Sequence, residues 1–177
     1  MGGKIRFNVA KFGAKVASQV SKFGFGSGNN LPGYVFYKIA GKEALKDLAH
    51  ERSIGPILIT GTNGKTTTTT LLIKLLSADT KIRKSFESNT IHAITTGILK
   101  GDGDLGVFEY GIRNKSYGIP DTVQRLIDPV GVVYTTISRE HSQVAGVKNP
   151  FEEYVDAKSL LSQGMTRGVV ISNADDP

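Results

Sequence analysis

The sequence contains no cysteine, which excludes a disulfide framework, thiolate metal ligands and a cysteine nucleophile. It has no apolar run approaching the roughly 18 residues that a membrane-spanning helix needs. Its basic N-terminus lacks the uninterrupted apolar stretch and small-residue cleavage site of a secretory signal. These absences point to an intracellular, cytoplasmic protein. Acidic side chains are missing from the first 26 residues, where Lys4, Arg6, Lys11, Lys15 and Lys22 supply five positive charges in a chain whose net charge is +6. The rest is nearly neutral, so no broad basic groove for nucleic acid is expected on the core, and any electrostatic partner is confined to the N-terminal segment.

What is present is a chain of 177 residues, 39% hydrophobic, long enough for one well-buried domain with an appendage. Ile5, Val9, Phe12, Val16, Val20 and Phe23 recur at spacings of three and four, which predicts an amphipathic basic helix. Such a helix either packs on its own domain or makes peripheral contact with an anionic membrane surface through residues 1–25. The stretch from Gly24 to Gly33 has the composition of a loop, and short helices are expected near 34–40 and 42–51. Residues 1–50 thus form an N-terminal segment and 51–177 the main domain.

From residue 56 short β-rich runs alternate with helical ones. Strands are expected at 56–60, 105–110, 131–137 and 168–172, and helices at 65–77, 90–100, 119–127 and 149–163. This alternation predicts an α/β fold, a mostly parallel sheet covered by helices on both faces.

The first strand runs into Gly61-Thr62-Asn63-Gly64-Lys65-Thr66-Thr67, with a helix beginning inside the loop. Glycines let backbone N–H groups turn toward phosphate oxygens, and the helix N-terminus adds its positive dipole end. Lys65 reaches the outer phosphates and the Thr66 hydroxyl suits Mg²⁺, so the loop is expected to hold Mg·ATP. The longer form of such loops has a glycine where Ile59 stands; this is the short form G-x-x-G-K-T.

Ile59 to Thr68 (ITGTNGKTTT) resembles the signature of the Mur ligase superfamily, ATP-dependent enzymes that add amino acids to cell-wall precursors and, in one branch, glutamate to folates. Further stretches are similar in the same order: Phe108-Glu109-Tyr110-Gly111-Ile112, Tyr134 to His141 (YTTISREH), Tyr154-Val155-Asp156-Ala157-Lys158 and Ser172 to Pro177 (SNADDP). The resemblance implies that Glu109 binds magnesium, that His141 ligates a second magnesium ion and that Lys158 is carbamylated. Thr136 and Glu140 depart from the family's Asn and Asp, and the longer spacing from His141 to Lys158 is consistent with an insertion at Val144 to Asn149. Nothing in residues 1–55 reads like the UDP-sugar-binding domain of the bacterial enzymes. The N-terminus looks instead like the ligase subunit of lipid II isoglutaminyl synthase or the archaeal pseudomurein peptide ligases. The absence of cysteine, hence of a zinc ribbon, and the presence of His141 favour the latter.

The implied reaction forms an amide through an acyl phosphate, on a small or lipid-linked peptide precursor and an amino acid. Lys65, His141 and Lys158 are its expected catalytic residues, with the metal held by Thr66, Glu109, His141 and Lys158. The chain is expected to be truncated, or one piece of a split enzyme, needing a C-terminal part or partner subunit to ligate. Two competing readings are another P-loop phosphotransferase or nucleotide switch, and a non-catalytic fragment or partner subunit.

Overall fold

The computed structural model describes residues 2–22, 29–51, 54–139, 146 and 148–176. Three helices come first: α1 (Gly2–Lys22), α2 (Leu31–Ala40) and α3 (Ala44–Ala49). Strands and helices then alternate: β1 (Pro56–Thr60), α4 (Lys65–Leu76), β2 (Ile82–Ser88), α5 (Ile91–Lys100), β3 (Leu105–Tyr110), α6 (Pro120–Ile127), β4 (Gly131–Tyr134), α7 (Pro150–Gln163) and β5 (Val169–Ile171). The helix starts carry their local signals. Thr90 caps α5 by accepting from Ala93 N at 3.1 Å, and Asn149 caps α7 ahead of Pro150, with Glu152 and Glu153 in the first turn.

The five strands form one sheet in the order β2-β3-β1-β4-β5, and every pairing is parallel. From β1 the chain crosses to the far edge at β2, returns to β3, then passes to β4 on the other side of β1. The carboxyl end of β1 is therefore the topological switch point, where the loops on the two sides diverge and leave a crevice.

Side chains alternate across each strand and so sort the core into two layers. Leu58, Phe108, Tyr110 and Val132 face one way and pack into a cluster with Phe36 of α2, Leu45 and Leu48 of α3, Ile94 and Ile98 of α5, Val123 and Leu126 of α6 and Ala157 and Leu161 of α7. Each large apolar side chain buried fully here contributes about 2 kcal/mol. Ile59, Leu105 and Val107 face the other way, against Ile73 of α4. Both faces are covered, as an all-parallel sheet requires, but among the described residues α4 is the one helix on its face. Val169, Val170 and Ile171 are exposed, as are Leu71 and Leu75 of α4, and a groove of 360 Å³ runs between that helix and β4–β5.

Besides shifted element ends, with α2 beginning at Leu31 inside the stretch expected to be loop and β4 ending at Tyr134, two findings depart from the sequence reading. Strand β2 was not expected; its sequence, Ile82-Arg83-Lys84-Ser85-Phe86-Glu87-Ser88, lacks the apolar continuity of a central strand, because it lies at the sheet edge. Arg83 is buried and donates to Ala49 O at 3.1 Å, so a charged residue stands at a core position. The second concerns α1, which does pack on the domain, but through Ala10, Ala14 and Phe7, with the Phe7 and Phe36 rings edge to face at 5.5 Å. Its large apolar residues face outward; Phe23 lies outside the described residues. No helix among the described residues is long and apolar enough to cross a membrane.

Candidate functional site

The loop after β1 is shaped by its glycines. Gly61 has φ 150° and Gly64 φ 81°, values that favour glycine. A Cβ on Gly61 would lie 2.0 Å from Thr135 Oγ1, so the loop passes close to the end of β4. The contact is hydrogen-bonded: Thr135 Oγ1 donates to Asn63 O at 2.6 Å, Thr62 N donates to Thr136 O, and Asn63 and Thr136 form an isolated antiparallel bridge. Thr62 is buried; its Oγ1 accepts from Ser138 N and meets the Tyr154 hydroxyl of α7, both at 3.0 Å. The loop is thus held from both sides before any ligand arrives, which lowers the ordering cost of binding one.

Gly64 ends the loop as the left-handed residue before α4, and Lys65 is the first helical residue. The unpaired N–H groups of that first turn lie at the switch point. Lys65 Nζ donates to Thr62 O at 2.8 Å, so the ammonium folds back over the loop. Thr66 Oγ1 donates to Glu109 Oε2 at 2.9 Å across 43 residues of sequence. Strand parity explains the pairing. Glu109 follows Leu105 and Val107 on the α4 face of β3 and is in register with Ile59 of β1, so its carboxylate emerges beside the first turn of α4.

A cavity of 250 Å³ opens here, lined by Gly61, Thr62, Lys65 and Glu109. Besides Gly111 and Ile112, its other walls are residues not singled out from the sequence as site residues: Glu87, Ser88 and Asn89 at the end of β2, Arg113 after β3, and Tyr154. Glu87 has φ 54°, a left-handed conformation uncommon outside glycine and a frequent companion of functional sites. Proximity to Glu109 in sequence was the signal for Arg113; the β2 residues had none, because that strand was itself illegible.

Lys158 is fully buried. Its Nζ donates to Gly61 O and Ile112 O, both at 3.1 Å, and lies 4.4 Å from the centre of the Tyr154 ring. Burial, and secondarily the positive charge of Lys65, bring its pKa down to about 7. The amine is poised to be neutral near neutral pH, and it ties α7 to the loop from below. Asn63, Thr66 and Thr67 are exposed, on the side from which a ligand would approach. Among the expected site residues, Gly61, Thr62, Asn63, Gly64, Lys65, Thr66, Thr67, Glu109 and Lys158 gather at this one strand edge. His141 lies outside the described residues. The last expected motif arrives as well, for Ile137 N donates to Asp176 Oδ2 at 2.6 Å, joining the segment after β5 to the segment after β4.

Comparison with known proteins agrees with this fold. Residues 59–177 match the model of the Mur ligase middle domain. Two curated relatives are UDP-N-acetylmuramoyl-tripeptide–D-alanyl-D-alanine ligases. The one from Bacillus subtilis (strain 168) is 29% identical over 67% of this chain and 26% of its own length. The one from Borreliella burgdorferi is 36% identical over 54% of this chain and 21% of its own length. The chain therefore spans about a quarter of the length of these relatives. Among solved structures, MurF ligase from Thermotoga maritima in complex with ADP superposes with a TM-score of 0.64 at 21% identity, over 77% of this chain and 32% of that one. A pseudomurein peptide ligase type C from Methanothermus fervidus gives 0.56 at 27% identity, over 73% and 25%. With the loop after β1 and well over half of its length matched by the Mur ligase middle domain model, the chain belongs to the Mur ligase family through the middle, ATP-binding domain.

Proposed function

We propose that this chain is the nucleotide-binding part of an ATP-dependent ligase that forms an amide bond on a cell-wall peptide precursor. The observation that carries the reading is the convergence, around one cavity at the switch point, of the Gly61–Gly64 loop, Lys65 and the Thr66–Glu109 pair. In this reading the N–H groups of the loop and of the first turn of α4 take the phosphate oxygens. Lys65 leaves Thr62 O to neutralise the outer phosphates.

The donor set fits magnesium. Thr66 Oγ1 and Glu109 Oε2 are hard oxygen donors already within 2.9 Å of each other. Among the described residues no three His, Cys, Asp or Glu side chains cluster as a metal cage, which accords with an ion that keeps waters and phosphate oxygens in its shell. When bound, magnesium would offset the charge of the polyphosphate so that a substrate carboxylate can approach it. His141 belongs to the same proposal as a second-ion ligand.

Lys158 takes the role of a carbamate precursor. Its neutral Nζ would add to CO₂, forming an N–C bond and losing one proton, which turns a cation into an oxygen-donor anion. In the present arrangement Nζ serves as donor to Gly61 O and Ile112 O, so modification requires it to give up both contacts. The absence of cysteine and the presence of His141 are the grounds for reading the chain as a pseudomurein-type branch. Binding of the amino acid and closure over the site are assigned to further polypeptide or a partner subunit, so the 177-residue chain alone is expected to bind nucleotide without ligating.

Calorimetric titration with Mg·ATP tests the reading. Saturable binding by the wild-type chain, weakened about tenfold to a hundredfold in Lys65→Ala by the loss of a charge-assisted contact, is the expected result. A folded wild-type chain that binds no Mg·ATP, or a variant that binds equally well, would overturn it.

A further inference from the structure

We infer that α1 is an in-plane membrane anchor, docking the chain on an anionic lipid surface through the face it turns away from its own domain. At 3.6 residues per turn, Ile5, Val9, Phe12, Val16 and Val20 fall within an arc of about 80°. All five are between 42% and 70% exposed. The face that packs on α2, made by Ala10, Ala14, Ala17 and Phe7, is centred on nearly the opposite side of the helix, and on it the three alanines are buried. Alanines let α1 approach α2 closely, and the large side chains are left outside. A run of five large apolar residues on one helical face is far more than scattered surface exposure and marks a binding surface.

Charge selects the occupant. Lys4, Lys11, Lys15 and Lys22 form a third row, about 120° from the apolar stripe on its other side, and α1 contains no acidic residue. Lys11 is paired with Glu51 at 2.7 Å and Arg6 donates to Ile39 O. Lys4, Lys15 and Lys22 make no ion pair with other described residues. Beside this row a groove of 690 Å³ is lined by Lys15, Lys22 and Lys100 together with Phe12, Pro32 and Leu99. Cations alongside an apolar stripe are complementary to phosphate headgroups above acyl chains, because lysine stems run along the apolar boundary while the ammonium stays at headgroup level. A second copy of the chain would set these lysines against their own kind at a two-fold contact.

The anchor lies on the face of the domain formed by α1 and α2 and does not use the strand-end cavity, so its test is independent of nucleotide binding. The full chain is sedimented with vesicles of phosphatidylcholine, with and without phosphatidylglycerol. Binding only to the anionic vesicles, weakened by salt and reduced about tenfold or more by Phe12→Glu with Val16→Glu, is expected. Both positions are exposed, so the thermal unfolding of the double variant should match wild type. Three outcomes would overturn the anchor: no binding to anionic vesicles, equal binding by the variant, or lipid-free self-association that the variant abolishes.

Discussion

A buried lysine held by backbone carbonyls and an aromatic ring carries a pH signature. Lys158 has its ordinary value of 10.5 in the unfolded chain and about 7 in the native one. Between these values the unfolded state binds more protons, so stability rises with pH, by at most about 1.4 kcal/mol per unit. Below about 7 both states are protonated and this slope vanishes. Urea unfolding across the window should show the rise in wild type and its loss in Lys158→Met; equal slopes would refute the assignment. A carbonyl signal from ¹³C-bicarbonate, seen by NMR in wild type and absent in the same variant, would identify carbamylation without reference to activity. At this scale the sequence was legible where chemistry is local. Gly61, Gly64, Lys65 and Thr66 lie close together where the loop enters α4, and the roles proposed for them follow from their order. Glu87, Asn89 and Arg113 line the same cavity but are brought there by strands that pair far along the chain.

The loop between β1 and α4 depends on Gly61 in a way that can be measured at the level of elements. Alanine there would combine a φ of 150° with a Cβ 2.0 Å from Thr135 Oγ1, forcing the loop away from β4. Gly61→Ala should destabilise the fold by about 2–4 kcal/mol and lower the affinity for Mg·ATP, as read by thermal unfolding and calorimetry. Wild-type values in both would show that the loop can shift freely. Elements with strong periodicity or apolar continuity (α4, α7, β1, β3) were legible because a helix or buried strand writes its period into the sequence. Strand β2 was not, since an edge strand carrying Arg83 and Lys84 resembles a polar segment. The expected strand at 131–137 ends at Tyr134, because Thr135 and Thr136 leave the sheet to bond the loop after β1.

The molecule as a whole is unevenly protected. β1 is flanked by β3 and β4, whereas among the described residues β5 pairs with β4 alone and its three residues are exposed. Amide hydrogen exchange should be slowest at Leu58, Val107 and Val132 and much faster at Val169 to Ile171, since exposed strands open at low cost. Uniform protection across the sheet would contradict this gradient. The open α4–β5 face, with Leu71 and Leu75 beside β5, is also the surface on which further polypeptide could complete the coverage that a parallel sheet needs.

The sequence by itself determined the order of strand, loop and helix, the parallel α/β class and the glycine–lysine–threonine make-up of the loop after β1. All of these arise from periodicity and from residue types adjacent in the chain. Tertiary structure decided what depends on distant segments meeting. Parity and register set Glu109 beside Thr66. The docking of α7 buried Lys158 against Gly61 and Ile112 and so altered its titration. The close fit of Ala10 and Ala14 in the core turned the large apolar face of α1 outward, a choice that the helical period alone leaves open because it fixes which residues share a face but not which face meets the core.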